Sequence, residues 1–465
     1  MSAAKGRTLC AARMHSRLLE MPYKVSVTAK QVSRGALNLF AIVFVLLMGE
    51  HCFASDVFLG VSKGKFQKIA IGIVPFSGSA QNAKERSLAE SILKADLVRS
   101  QLFNIIVIDF VAGDSPVDLS RGLDKEIVEW GQEIQLSAIA WAKMYTANGK
   151  WIMEAYGYET SRGDSVIRVK ITGDNIRALS HRFSDKLVSY FTGESGIAET
   201  KIAYLSQKAG SKEVYIMDYD GENAIQMTSD ASIILAPRWS FNAARIGYTS
   251  YRHGFPDIYL LELATGRRNK LFSSRNGLSL SPSWSPSGEW IAFASTKGGN
   301  SDIYKMRPDG TDITQITFHA SADLSPTWSP TGQEIAFTSD RGGGPQIYIM
   351  DAEGGSVRRL TYSGDYNTSP SWSPQGDWLV YACRNKKGFM KLCLDRVDGR
   401  ELIKVSDEGD WDDESPSWAA NGREIVFQSS RYKAIHIFTI RPNGEGLMRL
   451  TSAIGNHTGP AWAPR

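Results

Sequence analysis

The sequence predicts an α/β N-terminal domain followed by an all-β six-bladed β-propeller. Three observations carry that expectation. Ile202-Ala203-Tyr204 recurs as Ile246-Gly247-Tyr248, Ile291-Ala292-Phe293, Ile335-Ala336-Phe337, Leu379-Val380-Tyr381 and Ile425-Val426-Phe427, at intervals of 44 to 46 residues. A tryptophan keeps the same step, at Trp239, Trp284, Trp328, Trp372, Trp418 and Trp462, three of them inside Ser-Pro-Ser/Thr-Trp-Ser-Pro, as in Ser281 to Pro286, Ser325 to Pro330 and Ser369 to Pro374. Residues 66–192 lack this step and read instead as strands mixed with helices. A unit of about 44 residues suits four antiparallel strands, and six such units suit a ring of blades.

The elements follow in chain order. Residues 1–54 read as a cleaved signal peptide: Lys30 and Arg34 precede 13 residues, Ala36 to Met48, that carry no charge. Thirteen helical residues reach about 20 Å, short of a hydrocarbon core of about 30 Å. Cys52-Phe53-Ala54 offers a cleavage site, which makes Ser55 the expected mature N-terminus. A retained anchor is the alternative. Translation starting at Met14 or Met21 would shorten the long basic stretch. Gly49-Glu50-His51 before Cys52 is a poor lipidation context.

Residues 55–65 form a short, partly apolar segment. In 66–192, strands are expected at 68–74, 105–110, 137–145, 151–158 and 165–171, and helices at 85–103, 125–135 and 176–191. Residues 193–200 are the linker and 201–465 the propeller. A third landmark, Asp257-Ile258-Tyr259, recurs at Asp302, Gln346 and His436, while the fifth copy departs as Lys391-Leu392-Cys393. Asp220-Gly221, Asp309-Gly310, Asp398-Gly399 and Asn443-Gly444 supply tight hairpin turns. The tryptophans and paired aromatics are expected to pack blade against blade. The first copy lacks a preceding Trp motif and the last motif lacks following strands. Residues 460–463 should therefore close the ring as the inner strand beside 202–205.

Cleavage would leave Cys383 and Cys393, placed symmetrically about Gly388 on neighbouring strands. In an oxidising compartment they could bridge, provided the register brings their Cα atoms close enough; two buried free thiols are the alternative.

The composition excludes several function classes. With 42% hydrophobic and 22% charged residues the chain is neither disordered nor a multi-span membrane protein. The net charge of +4 resides in the leader, where seven basic residues face two acidic ones, so no nucleic-acid partner is indicated. Gly193-Glu194-Ser195-Gly196 is not a nucleophile elbow and follows a helix. There is no phosphate loop, and His181, His253, His319, His436 and His457 are scattered away from metal-ligand spacing. Asp218-x-Asp220-Gly221-Glu222 resembles part of a calcium loop but sits where a plain turn is expected. No catalytic residue, cofactor or metal is assigned. What varies is the set of loops preceding each Trp motif, 230–237, 274–282, 319–326, 363–370, 407–416 and 453–460. They ring one face, as expected of a scaffold with a variable binding surface. Asp410, Asp412, Asp413 and Glu414 form its densest acidic cluster, with a solvated loop as the plainer reading.

These repeats, typified by Ile335-Ala336-Phe337-Thr338-Ser339-Asp340-Arg341 and Pro345-Gln346-Ile347-Tyr348, resemble the WD40-like repeats of the TolB family of the Tol-Pal system. The junction from Phe191-Thr192-Gly193 to Ile202-Ala203-Tyr204 is similar too. The resemblance covers 55–465 and implies a non-enzymatic periplasmic protein supporting outer-membrane integrity and cell division. It implies docking of the lipoprotein Pal, through which the protein would sit peripheral to the outer membrane, on the propeller face. There Ser281, Leu324, Asn367, Asp412, Asp413, Glu414 and His457 are the candidate contacts. It also implies binding of TolA through Ser55, Asp56, Val57, Phe58 and Leu59, a segment able to add as a strand to a partner sheet. Colicins are a further partner it raises. The competing readings are a propeller-containing peptidase, whose hydrolase domain would need more chain beyond Arg465, and a small-ligand binding propeller.

Overall fold

A computed structural model describes residues 68–108, 129, 131–162, 165–208, 210–274 and 277–465. The expected leader and the 55–65 segment lie outside the described residues, as do 125–128 and 130 of the helix expected at 125–135, whose residues 131–133 are helical. No helix among the described residues is long and apolar enough to cross a membrane.

The N-terminal domain is a mixed sheet. Ile69–Ile73 pairs in parallel with Phe103–Val107 on one side and Ala138–Ala147 on the other, and an antiparallel meander continues through Lys150–Glu159 to Ser165–Gly173. Two helices, Ala83–Ser100 and Ile176–Thr192, bury Leu93, Leu97, Phe183 and Leu187 in one cluster with Ile71, Ile73, Met144 and Met153. The second helix starts where the Asn175 side chain accepts the Arg177 N–H and stops at Gly193, whose φ of 72° ends it in the left-handed region.

Six four-stranded antiparallel sheets follow, and each takes its inner strand from the Trp motif. Blades 2 to 6 begin at Ile234–Trp239, Ser279–Trp284, Asp323–Trp328, Asn367–Trp372 and Asp413–Trp418. Blade 1 is built from both ends of the ring: His457–Trp462 pairs antiparallel with Lys201–Lys208, Trp462 opposite Ile202. The expected closure is thus the observed one. Gly221 (φ 95°) belongs to the same seam, because an added Cβ would lie 2.5 Å from the Leu450 carbonyl oxygen of blade 6.

Inside each inner strand a proline occupies a ladder irregularity, as between Leu324 and Thr327. The strand lines the axis with no partner on that side, so a missing N–H is tolerated. The residue before that proline adopts positive φ in every blade: Ala236, Ser281, Ser325, Ser369 and Ser415 between 49° and 57°, Gly459 at 58°. Such backbone costs about 1–3 kcal/mol per non-glycine residue. Hydrogen bonds across blades hold some of these turns, from Ser369 N–H to Thr338 Oγ1 (3.3 Å) and from Gly459 N–H to Gln428 Oε1 (2.8 Å).

Trp239, Trp328, Trp372, Trp418 and Trp462 are buried at blade contacts. Trp239 and Trp418 donate their indole N–H to the carbonyls of Ala461 and Ser371 in the preceding blade. The aromatics of the first and third landmarks differ from the expectation: they face each other across the two central strands within a blade, as in Phe337–Tyr348 at 6.0 Å and Phe427–Phe438 at 5.9 Å. Blade 5 has no such pair. There Cys393 lies opposite Tyr381 and is bridged to Cys383. The register pairs Cys383 with Lys391, so the cysteines are diagonal neighbours with Cα atoms 5.9 Å apart rather than directly opposite.

Candidate functional site

Strand direction sorts the loops to the two ends of the ring. Inner strands begin, and the hairpins between second and third strands turn, at one end: Asp323, Ser339 and Gln346 are mutually paired there. The α/β domain meets the other end, at the 218–221 turn of blade 1 and the 420–424 turn of blade 6. Among the described residues the α/β domain leaves the first end open.

At the open end the connections between blades carry apolar side chains in water. Ile454 is 100%, Phe318 78% and Tyr362 76% exposed, with Ile233 and Leu278 close to half exposed. These five connections form most of a ring, and the sixth, between blades 5 and 6, is acidic. In it Asp410 pairs with Lys387 (2.8 Å) and Glu408 with Lys404 (2.8 Å). Apolar groups scattered singly over a surface need no explanation, but their recurrence in the same inter-blade connection, five times on one end, does.

The residues named from the sequence divide by depth. Asn367, Asp413 and His457 are corrections, since at 1%, 0% and 3% exposure they offer a docked partner no surface. All three are the first residue of an inner strand, a position that faces the third strand of the preceding blade. Asn367 donates to Gln346 Oε1 (2.8 Å), Asp413 takes a two-pronged contact from Arg431 (3.0 and 3.2 Å) with Lys391 at 4.0 Å, and His457 lies tilted against His436 with ring centres 5.7 Å apart. Blade 4 fills the same place with Asp323, bound by Arg341 at 2.8 and 2.9 Å; burial, then the Asp323 charge, raises the carboxyl of Asp302 above its usual range. Asn367 and Asp413 thus reach the preceding blade through Gln346 and Lys391, while Arg341 and Arg431 hold Asp323 and Asp413 within their own blades.

Asp412 is half-buried, with one carboxylate oxygen taken by the Met390 N–H (2.9 Å). Glu414, also half-buried, is held by Gln428, and burial raises its carboxyl. Leu324 is half-buried and Ser281 lines the axial channel. Ser55, Asp56, Val57, Phe58 and Leu59 lie outside the described residues. Sequence reasoning passed over Phe318, Tyr362 and Ile454; the available signal was a large apolar residue in a loop with no strand alternation around it.

At the other end a polar network joins the two domains. Arg177 donates to Asp218 (3.1 Å) and Asp220, and Lys201 and Asn223 also bind Asp218, so these contacts hold that carboxyl below its usual value against its burial. Asp96 accepts from His181 Nδ1 and from the Tyr219 hydroxyl, both at 2.7 Å. Asp96, His181 and Asp220 are close enough to ligate an ion. Arg177 already bridges Asp220 and His181, so the acceptors of this group are in use. The sequence's partial calcium loop is a hairpin turn closed by Gly221 N–H to Asp218 O (3.0 Å). Glu194 pairs with Arg423, and Asp185 receives the N–H groups of Ala198 (2.8 Å) and Glu199 (3.2 Å), fastening the linker. Burial pushes the Asp185 carboxyl up to about 6.

The molecule is thus a six-bladed β-propeller joined at one end to a small α/β domain, with apolar side chains exposed at the other. The chain belongs to the TolB β-propeller family: the model of the TolB beta propeller domain matches residues 188–465. A protein TolB homolog from Chlorobaculum tepidum is 32% identical over 301 residues, covering 61% of this chain and 66% of the relative. The Tol-Pal system protein TolB of Desulfosudis oleivorans is 31% identical over 286 residues, covering 60% of this chain and 64% of the relative. The chain thus spans slightly under two thirds of the length of these curated relatives. The crystal structure of TolB from Acinetobacter baumannii superimposes with a TM-score of 0.71 at 26% identity, covering 86% of this chain and 97% of that one.

Proposed function

We propose that this protein is a periplasmic, non-enzymatic component of the Tol-Pal envelope system that docks the lipoprotein Pal on the open end of its propeller. The proposal extends to TolA, bound through residues 55–65 after removal of residues 1–54 as a signal peptide. Membership of the TolB family and relatives that bear the Tol-Pal name support this reading. The observation that carries it is the apolar ring of Phe318, Tyr362 and Ile454 on the end that the α/β domain leaves uncovered. Burying one such side chain in an interface gains about 1.5–3 kcal/mol.

The test is calorimetric titration of the mature chain with the Pal domain from the same envelope. The triple variant Phe318→Ser, Tyr362→Ser, Ile454→Ser should weaken binding at least a hundredfold, while melting within about 2 °C of the parent, since exposed positions contribute little to stability. Unchanged affinity in a folded triple variant rejects this face. Deleting 55–65 should abolish TolA capture and leave Pal capture intact.

A further inference from the structure

The inner strands enclose an axial channel of about 850 Å³. Its wall repeats with the blades: Ser281, Ser325, Ser369 and Ser415 at the strained third position, and Ser283, Thr327, Ser371 and Ser417 two residues later. Blade 2 breaks the pattern. At the place of those hydroxyls it carries Arg238, which also lines the channel.

The guanidinium of Arg238 donates through Nη1 to the carbonyl of its neighbour Pro237 (2.9 Å), and among the described residues no carboxylate pairs with it. The other charged groups of the wall are Lys212 and Arg465, both basic. Arg465 is engaged by the Gly196 carbonyl (2.6 Å) and stands 3.8 Å from Asp185. Glu414, the second residue of its inner strand, is held to Gln428 and is not part of the wall. No acidic side chain lines the channel, and Asp185, beside Arg465, leaves Arg238 without a compensating acid among the described residues. Burial lowers the Arg238 pKa to about 10, so the group stays charged at neutral pH in a setting that disfavours the charge. Arg238 is half-buried, and a charge that is partly withdrawn from water is ordinarily paired. The planar fork of a guanidinium, on the same channel wall as these hydroxyls, is suited to an oxyanion held by two parallel hydrogen bonds.

We propose that the channel is a binding site for a small oxyanion of the phosphate class, anchored by Arg238 and completed by the channel serines. The site differs from the open-end docking surface and does not depend on that reading. Its ligand would supply the negative charge the wall lacks and stabilise the ring by mass action.

The test titrates the full chain with inorganic phosphate by calorimetry, with sodium chloride at matched ionic strength as the reference. One saturable site per chain is expected, together with a rise of the melting temperature with phosphate that chloride does not reproduce. Arg238→Ser installs the residue type that blades 3, 5 and 6 carry at this place and should weaken phosphate binding about tenfold or more, the usual effect of losing a charge-assisted hydrogen bond. Arg238→Lys should keep the site within a few-fold. If Arg238→Ser does not fold, Arg238→Gln serves with the same expectation. Absence of saturable binding in the parent overturns the proposal, and so does equal affinity in a folded variant lacking the guanidinium.

Discussion

The closing strand of blade 1 is the seam on which the ring depends, and Trp462 is its most deeply engaged residue. Its side chain is 5% exposed and packs in one cluster with Ile202, Met217, Ala419 and Val426, which brings together blades 1 and 6. Its indole N–H donates to Thr200 Oγ1 (2.8 Å), which ties the last strand to the end of the linker. Truncating a buried tryptophan to alanine costs about 3–5 kcal/mol. At about 2–4 °C per kcal/mol for domains of 150–250 residues, Trp462→Ala should lower the melting temperature by about 6–20 °C. Removing 457–465 goes further. It takes away the whole strand paired with Lys201–Lys208 and the Arg465 contact to the Gly196 carbonyl. It also leaves Lys201–Lys208 as an unpaired edge, a template for association between molecules. Differential scanning calorimetry with light scattering on both variants measures this. The truncated chain should aggregate or melt far below the point variant. A monomeric truncated chain with the parent's melting curve would refute the reasoning, because the ring would then be closed by something other than this strand.

Two further predictions concern the seam between blades 6 and 1 and the bridge in blade 5. At the same seam the imidazoles of His436 and His457 both titrate below the ordinary histidine value, chiefly because burial disfavours the charged form, and for His436 also because His457 and Arg449 lie near. Tyr204 and Tyr432 face the pair from either side. With folded values depressed, the unfolded chain takes up protons first. The contribution of the pair is complete above about pH 6.5 and is lost as the pH falls through the folded values. The double variant His436→Gln, His457→Asn copies the neutral pair Gln346 and Asn367 and should flatten the fall in urea midpoint between pH 7 and 5; equal slopes would reject the assignment. In blade 5, Cys383→Ala with Cys393→Ala opens a bridge of sequence separation 10 and should cost about 2–3 kcal/mol. A urea midpoint unchanged in the double alanine variant would show that blade 5 does not rely on the bridge.

Which end of the ring was variable, how many blades it has and how it closes were legible in the chain, because each rests on repetition. A repeat of one supersecondary unit displays its period, its turns and its missing half-blade without any knowledge of packing. The resemblance to the TolB family followed from the same text. What a loop residue does was not legible. Asn367, Asp413 and His457 sit in a stretch that reads as polar loop, yet the strand already begins there and the neighbouring blade covers them. Phe318, Tyr362 and Ile454 read as ordinary apolar residues, and only the end-to-end sorting of antiparallel strands leaves them in water. The two cysteines were visible as a pair. Their diagonal placement came from the hairpin register, which a count about Gly388 misplaces by two residues. Arg238 passed unnoticed because one arginine in a linear sequence has no counter-charge to be missing. Sequence by itself determined the period, and with it the fold, because local hydrophobic and turn preferences repeat every 44 to 46 residues. Burial, pairing and the unbalanced charge of the channel were decided by contacts between residues in different blades, which exist only once the ring has closed.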